Sequence, residues 1–229
     1  FGGKHYEISP TLTEVKEIAK TGKYDILPVS CEILSDFITP YRGYEEFCRM
    51  FQHIVICLNQ HKPMKPGVDI HFLGYDPKLE INCIDGHMKL GKLSVETDNP
   101  SEYIRQILSE YKSPKFDYMP SFTGGLVGYF SYDYLGYKEK SIRGKARDTE
   151  DFKDVDLMLF DKVIAFDNLC QKIILIANMS LDDPETGYNK AIVELKQLRE
   201  LLMHGEKKQN MGGKLLGDVT PLFEKGAVL

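Results

Sequence analysis

Apolar residues recur along the chain with two periods, helical and alternating, and each period marks an element. In SPTLTEVKEIAKTG, residues 9–22, Val15 and Ile18 form one stripe. Thr11 with Glu14 three residues on is a capping-box pattern and Gly22 a stop signal, so a helix is expected between them. DILPVSCEIL, residues 25–34, reads as a strand in which Pro28 suggests an edge or a bulge. KLEINCIDGHMKLG, residues 78–91, has two short alternating runs around Asp85-Gly86, the strongest short-range hairpin signal. NPSEYIRQILSEYK, residues 99–112, is an amphipathic helix with Ile104, Ile107 and Leu108 on one face, opened by Pro100 and Ser101.

VDLMLFDKVIAFDNLCQKIILIANM, residues 155–179, reads as a second hairpin turning at Asp167-Asn168. Its nearly continuous apolar runs predict strands covered on both faces. From Pro184 to His204 runs the longest helix, with Ile192, Leu195, Leu198, Arg199 and Leu202 at helical spacing. GEKKQNMGGK after it is polar and glycine-bearing, so residues 1–205 read as one domain and 206–229 as a linker and lead-in. Hairpins and helices without a βαβ repeat predict an α+β fold, mainly antiparallel β-sheet with flanking helices.

Composition narrows the function. The 229 residues are 42% hydrophobic and 28% charged, the balance of an ordinary globular protein. A formal charge of −5 leaves no electrostatic footprint for nucleic acid or an anionic membrane. Apolar runs such as KIILIANM are too short to span a bilayer, and no charged-then-apolar signal segment opens the chain. Its first residue is Phe1, which reads as a trimmed or incomplete N-terminus. Cys31, Cys48, Cys57, Cys83 and Cys170 show neither zinc nor disulfide spacing; they read as small buried hydrophobes in a reducing cytoplasm. His5, His53, His61, His71, His87 and His204 form no ligand spacing and read as incidental surface residues. Asp182, Asp183 and Glu185 read as helix N-terminal charge rather than as a metal site.

Residues 121–136, SFTGGLVGYFSYDYLG, place four glycines beside many rings. A phosphate cradle is weakly supported, since the Lys-Ser/Thr is missing and the glycines fail the G-x-G-x-x-G order. A stacking platform is disfavoured because the stretch holds no Lys or Arg. What remains is packing: glycines let a neighbouring strand or side chain lie against the backbone while alternate aromatics cover each face.

PSFTGGLVGYFSYD, from Pro120 to Asp133, resembles the signature of the N-terminal domain of anthranilate synthase component I. LPVSCEILSDFITP, FLGYDPKLEI, DVDLMLFDKVIAFDN and GDVTPLFEK fall in that family's order. Aminodeoxychorismate synthase component I, of the folate pathway, shares the domain and is the closest competitor; a free-standing module binding a small molecule or a partner is the third reading. The resemblance implies a domain that packs on a larger chorismate-binding domain, with Pro120, Phe122, Gly124, Gly125, Gly128, Tyr129, Tyr132 and Asp133 as a domain-packing motif in a sheet the two build together. It also implies a carbon-oxygen lyase making anthranilate from chorismate, Mg²⁺ in the full-length enzyme, ammonia from a glutamine amidotransferase subunit, and feedback inhibition by tryptophan. The family's catalytic and metal residues lie in the other domain, so this chain is expected to hold no catalytic, cofactor or metal site and to be inactive alone. An apolar patch is expected around Leu126–Tyr134.

The family's L-L-E-S and G-R-Y-(S/T)-F strands, the first carrying a serine of the tryptophan site, are absent; the segment reads CLNQHKPMKPGVDIHFLG. Its two prolines, three basic residues and lack of period predict an irregular excursion over residues 57–70. Back-translation suggests why the motifs are missing. Gln52–Phe72 read from the third base gives AYCYLLESAQTNEAWGRYTF, and PYRGYEEFCR with one base dropped gives PIEVMKNFAE, a better helix. Residues 41–71 are therefore expected to be out of frame. The closing GAVL reads the same way, since dropping one G from Lys225–Leu229 gives K-E-Q-Y.

Overall fold

A computed structural model describes residues 7–34, 55–61, 69–139 and 152–204, with backbone alone at 55–61, 69 and 204. Helix α1 (Leu12–Lys20) begins as its sequence dictates. Glu14 N donates to Thr11 Oγ1 at 3.4 Å while Thr11 N donates to Glu14 Oε2 at 2.7 Å, a closed capping box, and Gly22 at φ 62° ends the turn.

The strands form two antiparallel sheets. The six-stranded sheet has the order β1 (Ile8–Ser9), β2 (Ile26–Leu34), β11 (Lys172–Ser180), β10 (Lys162–Asp167), β4 (Asp69–Tyr75), β3 (Val55–His61). The five-stranded sheet has the order β7 (Leu93–Glu96), β6 (His87–Leu90), β5 (Leu79–Ile84), β9 (Val155–Phe160), β8 (Gly125–Phe130). Helix α2 (Pro100–Ser109) packs on the smaller sheet through Ile104, and α3 (Pro184–His204) packs with α1 on the larger one. The α+β architecture read from the sequence is the one observed.

Three apolar layers result. Val15, Leu27, Val29, Leu175, Leu195 and Leu198 lie between the large sheet and the two helices. Phe72, Phe160, Val163, Ala165, Ile174 and Ile176 cover its other face. Ile81, Cys83, Met88, Val155 and Leu157 form the third, under α2. Strands β10 and β11 run between the first two layers, which is why they are apolar on both faces.

Several expectations hold in detail. Asp85 (φ 49°) and Gly86 (φ 86°) make the two-residue turn between β5 and β6, with Ile84 paired to His87. Pro28 sits opposite Asn178 of β11, on a part of β2 that β1 does not reach, since β1 pairs only with Ser30 and Cys31. Asp183 Oδ1 accepts from Thr186 N at 3.2 Å and Glu185 pairs with Lys16 at 2.8 Å, so these acids cap and charge the start of α3.

Three expectations are corrected. Residues 155–179 are not one hairpin: Asp161 divides the first run, β9 joining the small sheet and β10 the large one. The hairpin is β10–β11, and its turn spans residues 168–171, with Asp167 Oδ1 accepting from Leu169 N and Cys170 N. The excursion predicted for residues 57–70 is contradicted at its two ends, because Val55–His61 is an edge strand paired with β4 from Val55↔Tyr75 to His61↔Asp69; its middle, residues 62–68, lies outside the described residues. The prolines and lysines counted against it follow the strand, beginning at Lys62, and Val55–Leu58 is an apolar run able to pair. Finally, Cys31 and Cys83 are buried as expected, but Cys170 is exposed because it lies in the β10–β11 turn. Cys48, the segment 40–49 and the linker fall outside the described residues, and of Cys57 only the backbone is described.

The two sheets meet where the chain crosses between them, at β4–β5 and at β9–β10. Lys78 N donates to Leu159 O at 2.8 Å across this junction. The Phe160 ring fills the space beside Gly74, where a Cβ would stand 2.8 Å from it. This junction sets β9, and β9 sets the position of β8.

Candidate functional site

β8 is the last strand of its sheet: β9 pairs with one side, from Gly125↔Phe160 to Phe130↔Val155, and no described residue pairs with the other. The close approach inferred for the glycines is real. A Cβ on Gly128 (φ 154°) would stand 1.9 Å from Asp156 O and 2.8 Å from Leu157 Cα. On Gly124 (φ 140°) it would stand 2.6 Å from Asn178 Nδ2 and 2.8 Å from Phe160 O. No side chain fits at either place.

Alternation then divides the neighbours. Val127 packs with Phe122 and Met158 between the sheets, and Leu126 packs on the α2 side with Tyr134 and Tyr137. Phe122 meets Phe72 edge-on, centroids 5.6 Å apart, which carries the segment before β8 across the large sheet. Pro120 is half-buried in that segment.

Beyond Gly128 the side chains emerge. Tyr129 is 38% exposed, Phe130 49%, Tyr132 75%, Leu135 47% and Phe152 56%. Tyr129 lies 5.2 Å from Phe152 and Phe130 lies 4.7 Å from Tyr134, centroid to centroid, so the rings form two pairs, one on each face of the strand end. The patch expected at Leu126–Tyr134 is thus displaced along the chain: Leu126 and Val127 are half-buried and the open part runs from Tyr129 to Leu135. Asp133 is exposed at its rim.

The turn after β8, a 3-10 helix from Tyr132 to Tyr137, is tied down from beneath. Tyr137 OH donates to Asp154 Oδ2 at 2.7 Å and accepts from Gly86 N at 2.7 Å, with Cys83 Sγ at 3.3 Å. Asp85 N donates to the same Asp154 oxygen at 2.9 Å. Burial, then the bond to the carboxylate, pushes the Tyr137 phenol far above its ordinary range. At the start of β8, Asn178 Nδ2 donates to Thr123 O at 2.6 Å and to Asp161 O at 3.0 Å.

Of the motif, Gly124 and Gly128 lie against neighbouring backbone, and Tyr129 and Tyr132 are exposed. Asn178, Tyr137, Asp154 and Phe152 complete the site, and nothing in their local sequence marks them. The edge offers apolar rings and backbone groups that no described residue pairs, the chemistry of strand addition and docking. Among the described residues, no group of three or more His, Cys, Asp or Glu could hold a metal ion. No described helix is long and apolar enough to cross a membrane. His71 Nδ1 lies 3.0 Å from Asn168 Nδ2, and His87 pairs with Glu96 on β7. Open clefts lie beside Lys78, Glu80 and Gly91, and along α3 at Asn189, Val193 and Glu194.

Comparison with known proteins gives one consistent answer. The chain is 29% identical over 202 residues to anthranilate synthase component 1 of Acetivibrio thermocellus, matching 84% of this chain and 39% of that protein. Identity to the Pseudomonas aeruginosa protein of the same name is 30% over 187 residues, 78% of this chain and 37% of the other. For that of Saccharomyces cerevisiae it is 33% over 195 residues, 81% and 37%. Among solved structures, anthranilate synthase component I from Streptococcus pneumoniae superposes with a TM-score of 0.51 at 23% identity, over 76% of this chain and 37% of that one, a likeness of fold. No family model matches the chain. The chain spans about two fifths of the length of these relatives.

Proposed function

Since the chain is homologous to the N-terminal part of anthranilate synthase component I over about 80% of its length, we propose that it is the scaffold and regulatory portion of such an enzyme, inactive by itself. In this reading the complete enzyme converts chorismate to anthranilate with Mg²⁺, takes ammonia from a glutamine amidotransferase subunit and is inhibited by tryptophan. The observation that carries the reading is the open edge of β8. An uncharged strand, Gly125–Phe130, ends in exposed rings on both of its faces, where isolated domains blunt their edges with charge or proline. We assign this edge as the place where the chorismate-binding domain docks and adds a strand.

The test uses the 229-residue chain. Incubated with chorismate, Mg²⁺ and ammonia it gives no anthranilate fluorescence above background, and calorimetry shows no saturable tryptophan binding in the micromolar range. Turnover or saturable tryptophan binding refutes the reading. With its edge uncovered the chain self-associates, and Tyr132→Ser reduces this in light scattering.

The segment 41–71 is proposed to be written in a shifted frame. In support, the codons that restore L-L-E-S span residues 56–60 and those that restore G-R-Y-T-F span residues 67–72. The first set falls within β3, and the second reaches into its antiparallel partner β4. Sequencing the DNA through codons 40–72 decides this: an intact single frame there refutes it.

A further inference from the structure

We propose that two side-chain clamps, Asn178 at the start of β8 and Tyr137 with Asp154 at its end, hold this strand and its ring-bearing turn in the geometry a docking strand requires, an inference that rests on β8 being the docking edge. A strand paired on one side only is where a sheet frays first, and ordering it at the moment of docking costs affinity. β8 lacks the charges and prolines that guard ordinary edges, and its ends are instead tied to other parts of the fold.

At the start, Asn178 reaches from β11 of the large sheet to Thr123 O and to Asp161 O at the sheet junction. The absent side chain of Gly124 makes this possible, because a Cβ there would stand 2.6 Å from Asn178 Nδ2. At the end, Ser131 N donates to Asp154 O at 2.9 Å, and the Tyr137 hydroxyl bridges Asp154 Oδ2 and Gly86 N. Asp154 is 8% exposed, and Tyr137 and Asp85 N are the donors to its Oδ2. Removing the hydroxyl takes one donor from a buried carboxylate and leaves Gly86 N without this acceptor, both costly in a buried site. The exposed rings of Tyr129, Phe130 and Tyr132 and the exposed Leu135 side chain lie between these two anchors. Asn178, Tyr137 and Asp154 are positioning residues: they act on the docking face through the backbone.

The test is hydrogen–deuterium exchange of the 229-residue chain as wild type, Tyr137→Phe, Asn178→Ala, Asp154→Asn and Tyr132→Ser. Tyr137→Phe and Asn178→Ala raise exchange across residues 125–138 about tenfold or more and leave residues 163–177 of the central strands unchanged. Asp154→Asn keeps an acceptor oxygen for both donors and stays near wild type, and Tyr132→Ser does not alter exchange. Unchanged exchange at 125–138 in the first two variants, or an equal rise at 163–177, overturns the proposal. Light scattering on the same samples judges the docking edge separately. If Tyr132→Ser leaves self-association untouched, the docking assignment fails, and the clamps are still decided by exchange.

Discussion

Replacing Gly128 by alanine tests the close approach of β8 to β9 more sharply than any other single change. The methyl group arrives 1.9 Å from Asp156 O, 2.8 Å from Leu157 Cα and 2.9 Å from Asp156 C, all backbone atoms of the paired strand that no rotamer change can move. Two costs add. The residue must hold φ 154°, which L-residues rarely adopt, at about 1–3 kcal/mol. The crowding of a filled interior costs about 1–3 kcal/mol more. Gly125 supplies the control: its φ is 132°, yet the nearest atom to an added Cβ is Phe122 Cε2 at 3.9 Å, so Gly125→Ala incurs the first cost without the second. Equilibrium urea unfolding followed by far-UV circular dichroism and tyrosine emission, the chain having thirteen tyrosines and no tryptophan, reads both variants. Gly128→Ala lies about 1–3 kcal/mol below Gly125→Ala, a midpoint difference on the order of 1 M urea at typical slopes. If the two variants unfold within about 0.5 kcal/mol of each other, the steric account of the motif is wrong, since independent measurements agree to about that margin.

Leu175→Ala, at a fully buried position of β11, lowers stability by about 2–5 kcal/mol in the same assay. Thr11→Ala opens the capping box of α1 and costs about 1 kcal/mol, whereas Thr13→Ala, at an exposed first-turn position whose side chain makes neither capping bond, is close to neutral. Glu14 accepts hydrogen bonds from the backbone and then the side chain of Thr11, which hold its carboxyl below the ordinary value of 4.5. The folded state therefore binds this proton less tightly than the unfolded chain. The stabilisation is present above pH 4.5 and is lost as pH falls through the folded-state value; Glu14→Gln removes that part of the pH dependence in a titration of stability.

The elements with strong local signals were legible in the chain. The capping box of α1, the Asp85-Gly86 turn, and helices α2 and α3 depend on residues a few positions apart, so their local chemistry specifies them in any context. The α+β antiparallel class followed from their order, and the unusual backbone of residues 121–136 followed from glycines that have no other use. The motif's resemblance to anthranilate synthase component I was legible for the same reason, because its residues are contiguous.

What was not legible joins distant residues. Asp161 breaks one apolar run into strands of two sheets, a division that exists only because β5 and β4 stand ready on either side. Val55–His61 is a strand because β4 offers it an edge, although the residues that follow read as loop. The same holds for the site. Asn178 is 55 residues from Thr123, and Tyr137 is 51 from Gly86 and 17 from Asp154, so no local pattern could announce those contacts. Which rings of SFTGGLVGYFSYDYLG would be buried and which would stay open was likewise undecided until β9 and α2 took their places. Alternation assigns side chains to the two faces of a strand, but only the neighbours decide which positions along it are covered.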